Sequence, residues 1–513
     1  MKIVDRILTQ IPGNPLDGLH RADRAWEQFR SGSFPVTTVI RDSKETIGET
    51  DFDVVICGGT LGIFIGAALA KRGWKVAVVE RGTLRGRDQE WNISRQELQV
   101  FLELELLSET ELETAIATEY NPARVNFLGG TEIWVRDILN IGVDPVFLLE
   151  TLKQKFLAAG GILLENTAFE SAIVATDGVR VQTRDRELKT RLLIDAMGHF
   201  SPIVRQFRQR EKADGICMVV GTCAKGYDRN ETGDLFVSFT PIQNKCQYFW
   251  EAFPARDGRT TYLFTYLDVN PDRFGLEFLL SEYFRLLPEY QNIDLDRLDW
   301  VRSLFGFFPS YRRSPLQSPC DRLVFVGDSS SNQSPLSFGG FGAMVRHLDR
   351  LTNGIDSALK NDIYDRDALA LLQPYQPNLS VAWLFQETMR VKMSEHPDPN
   401  AINDLLSAVF AAMESSGDAV LRPFLQDVIR FDTLSQALFQ TAIASPGEVV
   451  KVLPRTGIVP LLKWMPHYTN LGLYRLLYSL GRSLKNVPEN LPPQWQFRRD
   501  RLLEAWKYGA GLD

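Results

Sequence analysis

The segment Asp53–Arg81, DVVICGGTLGIFIGAALAKRGWKVAVVER, reads as strand, turn, helix, strand, and it sets the class of fold this chain can adopt. Val54 to Ile56 is apolar and β-branched, and a glycine cluster follows. Ile63 to Ala70 has helical apolar spacing, and Lys75 to Val79 returns as a second strand. This is one βαβ unit. Aligned to G-x-G-x-x-G, its three sites are Cys57, Gly59 and Gly62, with an additional glycine, Gly58, beside the first. Cys57 is expected to make the tight turn that glycine usually makes. Gly59 would let the backbone approach a pyrophosphate, Gly62 would let the helix pack close to the strand, and Thr60 and Leu61 stand at the helix start. Glu80, at the end of the second strand, is placed to accept hydrogen bonds from ribose hydroxyls, with Arg81 next to it.

Two later segments repeat the passage from strand to glycine. In LLIDAMGHFSPIVR the buried run Arg191 to Ala196 leads to Gly198, Ser201 and Arg205, with Met197 before the glycine. In RLVFVGDSSSNQSPLSFGGFGAMVRHLDRL the run Leu323 to Val326 ends in Gly327 and Asp328. Pro335 and then Phe338, Gly339, Gly340, Phe341 and Gly342 open a new helix. An acid at a strand end can hold ribityl hydroxyls, and exposed amides at a helix start can hold the electron-rich edge of a flavin. A nicotinamide site needs no such third element. The three segments together predict FAD rather than NAD.

The rest of the chain narrows the setting. With 44% hydrophobic and 24% charged residues over 513 positions, it has the profile of a globular protein with a large core, and no apolar run is long enough for a transmembrane helix. Five cysteines, Cys57, Cys217, Cys223, Cys246 and Cys320, form no CxxC pair and read as buried thiols. The five histidines show no ligand spacing, so no metal is expected. A net charge of −7 leaves no footprint for nucleic acid. From Lys451 to Lys485, however, there are six Lys or Arg and no acid, interleaved with Leu, Trp and Tyr. That stretch suits a bilayer headgroup region or a helical cap on the main body, and the pattern alone does not choose.

The expected architecture is α/β plus antiparallel β: a Rossmann-like FAD-binding domain with an inserted substrate-binding sheet and a C-terminal helical region. Residues 1–50 form an N-terminal extension, and 51–205 form the first part of the FAD domain, with a helical insertion at 86–140. Residues 206–299 form the sheet, with four strands between Cys217 and Asp268, 300–360 complete the FAD domain, and 361–513 are helical.

Across nearly its whole length, from CGGTLGIF through GRDQEWNISRQEL, EIWVRDILNIGVDP, IDAMGHFSP, QYFWEAFP, SPLSFGGFG and LRPFLQDVI to LEAWKYGAGLD, the chain resembles FAD-dependent lycopene cyclases of the CruA/CruP type, closest to the CruP branch. The resemblance implies the fold of the geranylgeranyl reductase and aromatic hydroxylase flavoproteins, a lycopene-like carotenoid substrate, and a cytoplasmic place at the surface of a photosynthetic (thylakoid) membrane. That group usually has an aspartate where Met197 stands. The implied chemistry is protonation of a terminal C=C, ring closure and proton loss, with no net electron transfer. FAD would act in its reduced form, and NAD(P)H could serve only as a transient reductant.

Such chemistry needs a general acid, and Glu251 is the candidate. In a strand, Gln247, Phe249, Glu251 and Phe253 share one face while Tyr248, Trp250 and Ala252 share the other. An acid between two phenylalanines should have its pKa raised by desolvation. The alternative is a structural carboxylate paired with an arginine or a backbone amide. The cluster Arg87 to Arg95 could wall the flavin pocket. Within it Ser94 and Glu97 form a capping-box pattern, and Trp91 and Asn92 could belong to either role. The other functions open to the chain are a carotenoid or prenyl oxidoreductase and a non-catalytic carotenoid-binding flavoprotein.

Overall fold

Four parallel strands end at one level, and this register organises the molecule. Val76–Val79, Phe52–Cys57, Glu187–Asp195 and Leu323–Phe325 lie side by side, with Val79 opposite Cys57, Cys57 opposite Asp195, and Asp195 opposite Phe325. The chain therefore leaves the sheet along one edge at Glu80, Gly58, Ala196 and Val326, the edge where open α/β sheets bind ligands. Val54 to Ile56 and Leu192 to Ile194 are fully buried, because parallel strands are covered on both faces. This computed structural model describes residues 2–209, 211–312, 314–337, 339–444, 446–447, 458–482 and 491–512. Phe338 and the basic residues Lys451, Arg455 and Lys485 lie outside them.

The helix Gly59–Lys71 is buried all round from Gly62 to Ala70, so its sequence is apolar on every face. A Cβ at Gly62 would stand 2.8 Å from Ile56 Cγ2, which is why the helix can lie this close to its strand. Gly58, not Cys57, makes the turn between them. Cys57 remains in the strand, whereas Gly58 has φ +101° and no room for a Cβ against the Ala196 carbonyl. The additional glycine thus takes over the task expected of the replaced one.

The second sheet has seven strands in the order Asp299–Ser310, Gly215–Lys225, Gly258–Leu267, Phe249–Ala255, Gly233–Val237, Ala123–Asn126 and Ile133–Val135. Its two faces sort the side chains as the alternation predicts. Tyr248 and Trp250 pack with the helix Leu276–Gln291 and with Leu19 and Trp26 of the helix Pro15–Arg30, so the helical start of the N-terminal extension is folded onto this sheet, while Ile40–Asp42 pairs with Ala172–Val174 at the edge of the first. Phe249 and Phe253 pack on the other face, with Phe410 and Met413 of the helix Ala401–Ser415.

Two segments differ from the sequence expectation. Residues 86–140 contain the short helices Gln99–Glu103 and Glu109–Ala115, but also four strands. Trp91–Ile93 and Ile116–Glu119 form a three-stranded sheet with Ile141–Val143, and the other two join the edge of the second sheet. Strands of three or four residues are too short to show a two-residue period, so only the Leu- and Glu-rich helices were visible. Asp299–Ser310, expected in the FAD domain, instead pairs with Gly215–Lys225 from end to end.

The C-terminal region is helical, and the helix Ile458–Gly481 covers the helix Pro377–Met389. Leu471 is fully buried, and Trp464 Nε1 donates to the Val381 carbonyl at 3.0 Å. Among the described residues no helix is long and apolar enough to cross a membrane.

Candidate functional site

The shared strand edge opens into a cavity of about 370 Å³, a size typical of small-molecule sites. Thr60 and Leu61 reach it from the first turn, Asp328 from the third strand-to-helix passage, and Gly339, Gly340, Phe341 and Gly342 from the start of the helix Gly340–Lys360. The N-cap residues of this helix and of Gly59–Lys71, Gly339 and Gly58, are glycines without a capping side chain, so apart from Gly59 N the first-turn amides can meet an anionic or electron-rich group. A Cβ at Gly340 would collide with the Asp328 carboxylate, so only glycine lets the acid and the helix start adjoin.

The other predicted residues surround this centre rather than line it. Glu80 accepts from Gly59 N at 2.7 Å and Gly82 N at 3.1 Å, which holds its carboxylate against the first turn. Gly327 has φ +61° and sits against Leu61. Gly198 turns at φ +82°, and its N–H donates to Ser329 Oγ at 2.8 Å. Pro335 is buried, and its carbonyl accepts from Gln386 Nε2 at 3.0 Å. Arg81 is exposed. Arg205 lies 5.4 Å from the Phe34 ring, with its cation toward the N-terminal segment rather than the cavity.

Sequence reasoning missed Asp195. This fully buried carboxylate accepts from Met197 N at 2.9 Å, Ser201 Oγ at 2.5 Å and Ser329 Oγ at 3.1 Å, and so ties the second segment to the third. Burial pushes its pKa up to about 6, and the three donors limit that rise. An acid closing the apolar run Leu192 to Ile194 was the available signal. It stands two residues before Met197.

Trp91 and Asn92 are cavity wall. The Trp91 ring lies 4.6 Å from that of Phe341. Ser94 serves as the cap: Ser94 N donates to Glu97 Oε2 at 3.1 Å, while Ser94 Oγ accepts from Gln426 Nε2 at 2.9 Å. Asn92 Oδ1, Asn378 Oδ1 and His347 Nδ1 belong to cavity-lining residues and are buried without a hydrogen-bond partner among the described residues. Buried polar groups are seldom left so, and a bound molecule with donors and acceptors would satisfy them. FAD fits this set: the glycine-led helix starts would serve its phosphates and ring edge, Glu80 and Asp328 its hydroxyls, and Trp91 and Phe341 its planar ring.

A second cavity of about 350 Å³ adjoins the first, with Leu139, Glu251, Phe264, Leu336, Ser337 and Asp427 lining both. Its remaining wall is almost entirely apolar, from Phe410 and Met413 to Trp464, so the helix Ile458–Gly481 is at least in part the cap that the sequence pattern left as one of two readings. Glu251 sits at the junction. It is half-buried by area, but what it faces is the cavity. Burial, with the Asp427 charge adding to it, pushes its pKa up to about 8. No hydrogen bond or ion pair holds its side chain among the described residues, and Tyr262 is its cross-strand neighbour. Asp427, in a left-handed backbone position at φ +60°, also has its pKa raised by burial, against hydrogen bonds from Ser337 and Ser334.

No protein-family model and no curated protein matches the sequence. Solved structures do match the fold. The chain is similar to a geranylgeranyl bacteriochlorophyll reductase-like protein from Thermoplasma acidophilum, with a TM-score of 0.56 and 15% identity over 80% of this chain and 99% of the other. It is also similar to halogenase PltM, with a TM-score of 0.54 and 15% identity over 89% of this chain and 96% of the other. That halogenase in complex with phloroglucinol and FAD matches at 0.54 and 14% identity, over 90% and 99%. These likenesses show the fold: an α/β domain of the Rossmann type, an adjoining mainly antiparallel sheet and a helical C-terminal region.

Proposed function

We propose that the chain is an FAD-dependent enzyme that isomerises a lycopene-like carotenoid by acid-initiated ring closure. The observation that carries this reading is Glu251: a carboxyl with its pKa raised to about 8, unpaired, at the junction of the polar cavity and the apolar one. The helix starts after Gly58 and Gly339, with Glu80 and Asp328, would hold FAD, and the fold is shared with a halogenase that binds it. When bound, FAD supplies an electron-rich ring beside a forming cation. Glu251 would give its proton to a terminal C=C, and the adjacent double bond would close on the cation. A ring proton would then return to the Glu251 carboxylate, so no electrons are gained or lost. The apolar wall excludes water that would otherwise capture the cation.

A second reading is a carotenoid or prenyl oxidoreductase. It is favoured by the fold shared with a reductase-like protein, and the same cavities would serve it. Anaerobic incubation of FAD-loaded protein with lycopene and a reductant separates the two. A product of unchanged mass and altered absorption supports ring closure, a changed mass supports redox chemistry, and an unaltered pigment overturns both.

A further inference from the structure

We propose that the face formed by the helices Phe431–Ala444 and Ile458–Gly481 rests on an anionic lipid bilayer, with the apolar cavity opening toward it. Half of the exposed large apolar side chains among the described residues lie on these two helices. Leu462, Met465, Leu473, Leu476 and Leu480 are all between 44% and 66% exposed, and at ~100° per residue they fall within an arc of about 80°. The buried Trp464 and Leu471 occupy the opposite side. One face of this helix therefore caps the protein, and the other is an apolar stripe in water. Phe439 and Ile443, one turn apart on the neighbouring helix, extend it at 67% and 66% exposure. Soluble surfaces rarely keep such a patch uncovered.

Charge identifies what covers it. The chain as a whole is acidic at −7, yet Lys451 to Lys485 carries six basic residues and no acid. Of these, Arg475 pairs with Asp432 at 2.6 Å on the surface. Lys463 lies on the helix and Arg482 just past it, both exposed, and an apolar face flanked by basic residues is what the headgroup and acyl boundary of an anionic bilayer accepts. A second copy of the chain would bring the same basic stretch against itself. Position gives the face its use. Leu438 lines the apolar cavity and is 38% exposed, and Leu461, also lining it, precedes the exposed Leu462. Leu438 thus belongs both to the cavity wall and to the exposed patch, so a water-insoluble substrate could pass from lipid to the site without crossing water.

Flotation of the FAD-loaded full chain with phosphatidylcholine vesicles, with and without phosphatidylglycerol, tests this. The protein should float with the anionic vesicles and less so at high salt. Leu473→Glu/Leu476→Glu/Leu480→Glu should reduce the bound fraction about tenfold or more. Trp134→Glu, at an exposed apolar residue of the second sheet, should not. Flavin content and circular dichroism, measured on the same samples, keep this result separate from the FAD reading and from misfolding. Should the triple variant fail to fold, Lys463→Glu/Arg482→Glu, at two exposed positions, should abolish the preference for anionic vesicles. Wild-type protein that does not float, variants that float as wild type does, or a wild-type dimer that the triple variant dissolves, which would assign the face to a second copy, would each overturn the proposal.

Discussion

Glu251 and Asp427 line the same two cavities from unrelated elements. Glu251 is at the middle of the strand Phe249–Ala255, and Asp427 is two residues past the helix Asp418–Leu425. After burial, the Asp427 charge is what pushes the Glu251 carboxyl up to about 8. Two acids in one apolar enclosure cannot both ionise cheaply, so at neutral pH Glu251 keeps its proton.

Glu251→Gln should therefore abolish pigment conversion while flavin absorbance is retained, because the amide fills the same space without a proton to give. Conversion by wild-type protein should fall as pH rises through about 8. Product analysis across a pH series checks both.

Stability should carry the same signature. The folded-state value of Glu251 is raised above its ordinary 4.5, so the protein binds this proton more tightly than the unfolded chain does. Its contribution is whole below 4.5 and is lost as pH climbs through about 8. Glu251→Gln should melt with wild type at acid pH and above it at alkaline pH, by up to a few kcal/mol. Thermal denaturation at the two extremes decides.

Asp427→Asn removes the charge that raises Glu251. The alkaline limb of the activity profile should move to lower pH, while the acid plateau stays within about threefold of wild type. A limb that does not move would separate the two acids.

Gly58→Ala places a methyl group against the Ala196 carbonyl at φ +101°. The loss should be about 1–3 kcal/mol, with flavin retention reduced in parallel. Melting temperature and absorbance of the purified protein measure both.

Asp195→Ala leaves Met197 N, Ser201 Oγ and Ser329 Oγ without their shared acceptor. It should cost about 2–4 kcal/mol. Ser329→Ala, which loses one bond of that set and frees Gly198 N, should cost about 1 kcal/mol. Denaturant titration ranks them.

Local chemistry determined much of this protein in advance. The apolar runs at Val54, Leu192 and Leu323, each followed within a few residues by glycine, were legible as strands leading to turns, because chain stiffness and burial act over a few residues. The alternation around Glu251 likewise assigned its face before any neighbour was known. What tertiary structure alone decided were matters of distance between remote segments. That Gly58 rather than Cys57 turns the chain depends on the Ala196 carbonyl 138 residues away. That Trp91 meets Phe341, and that Asp427 reaches the enclosure of Glu251, follows from helix and sheet packing that no short window encodes. Periodicity shows that a face is apolar. What that face covers is decided by the shape and charge of whatever the folded chain brings opposite it.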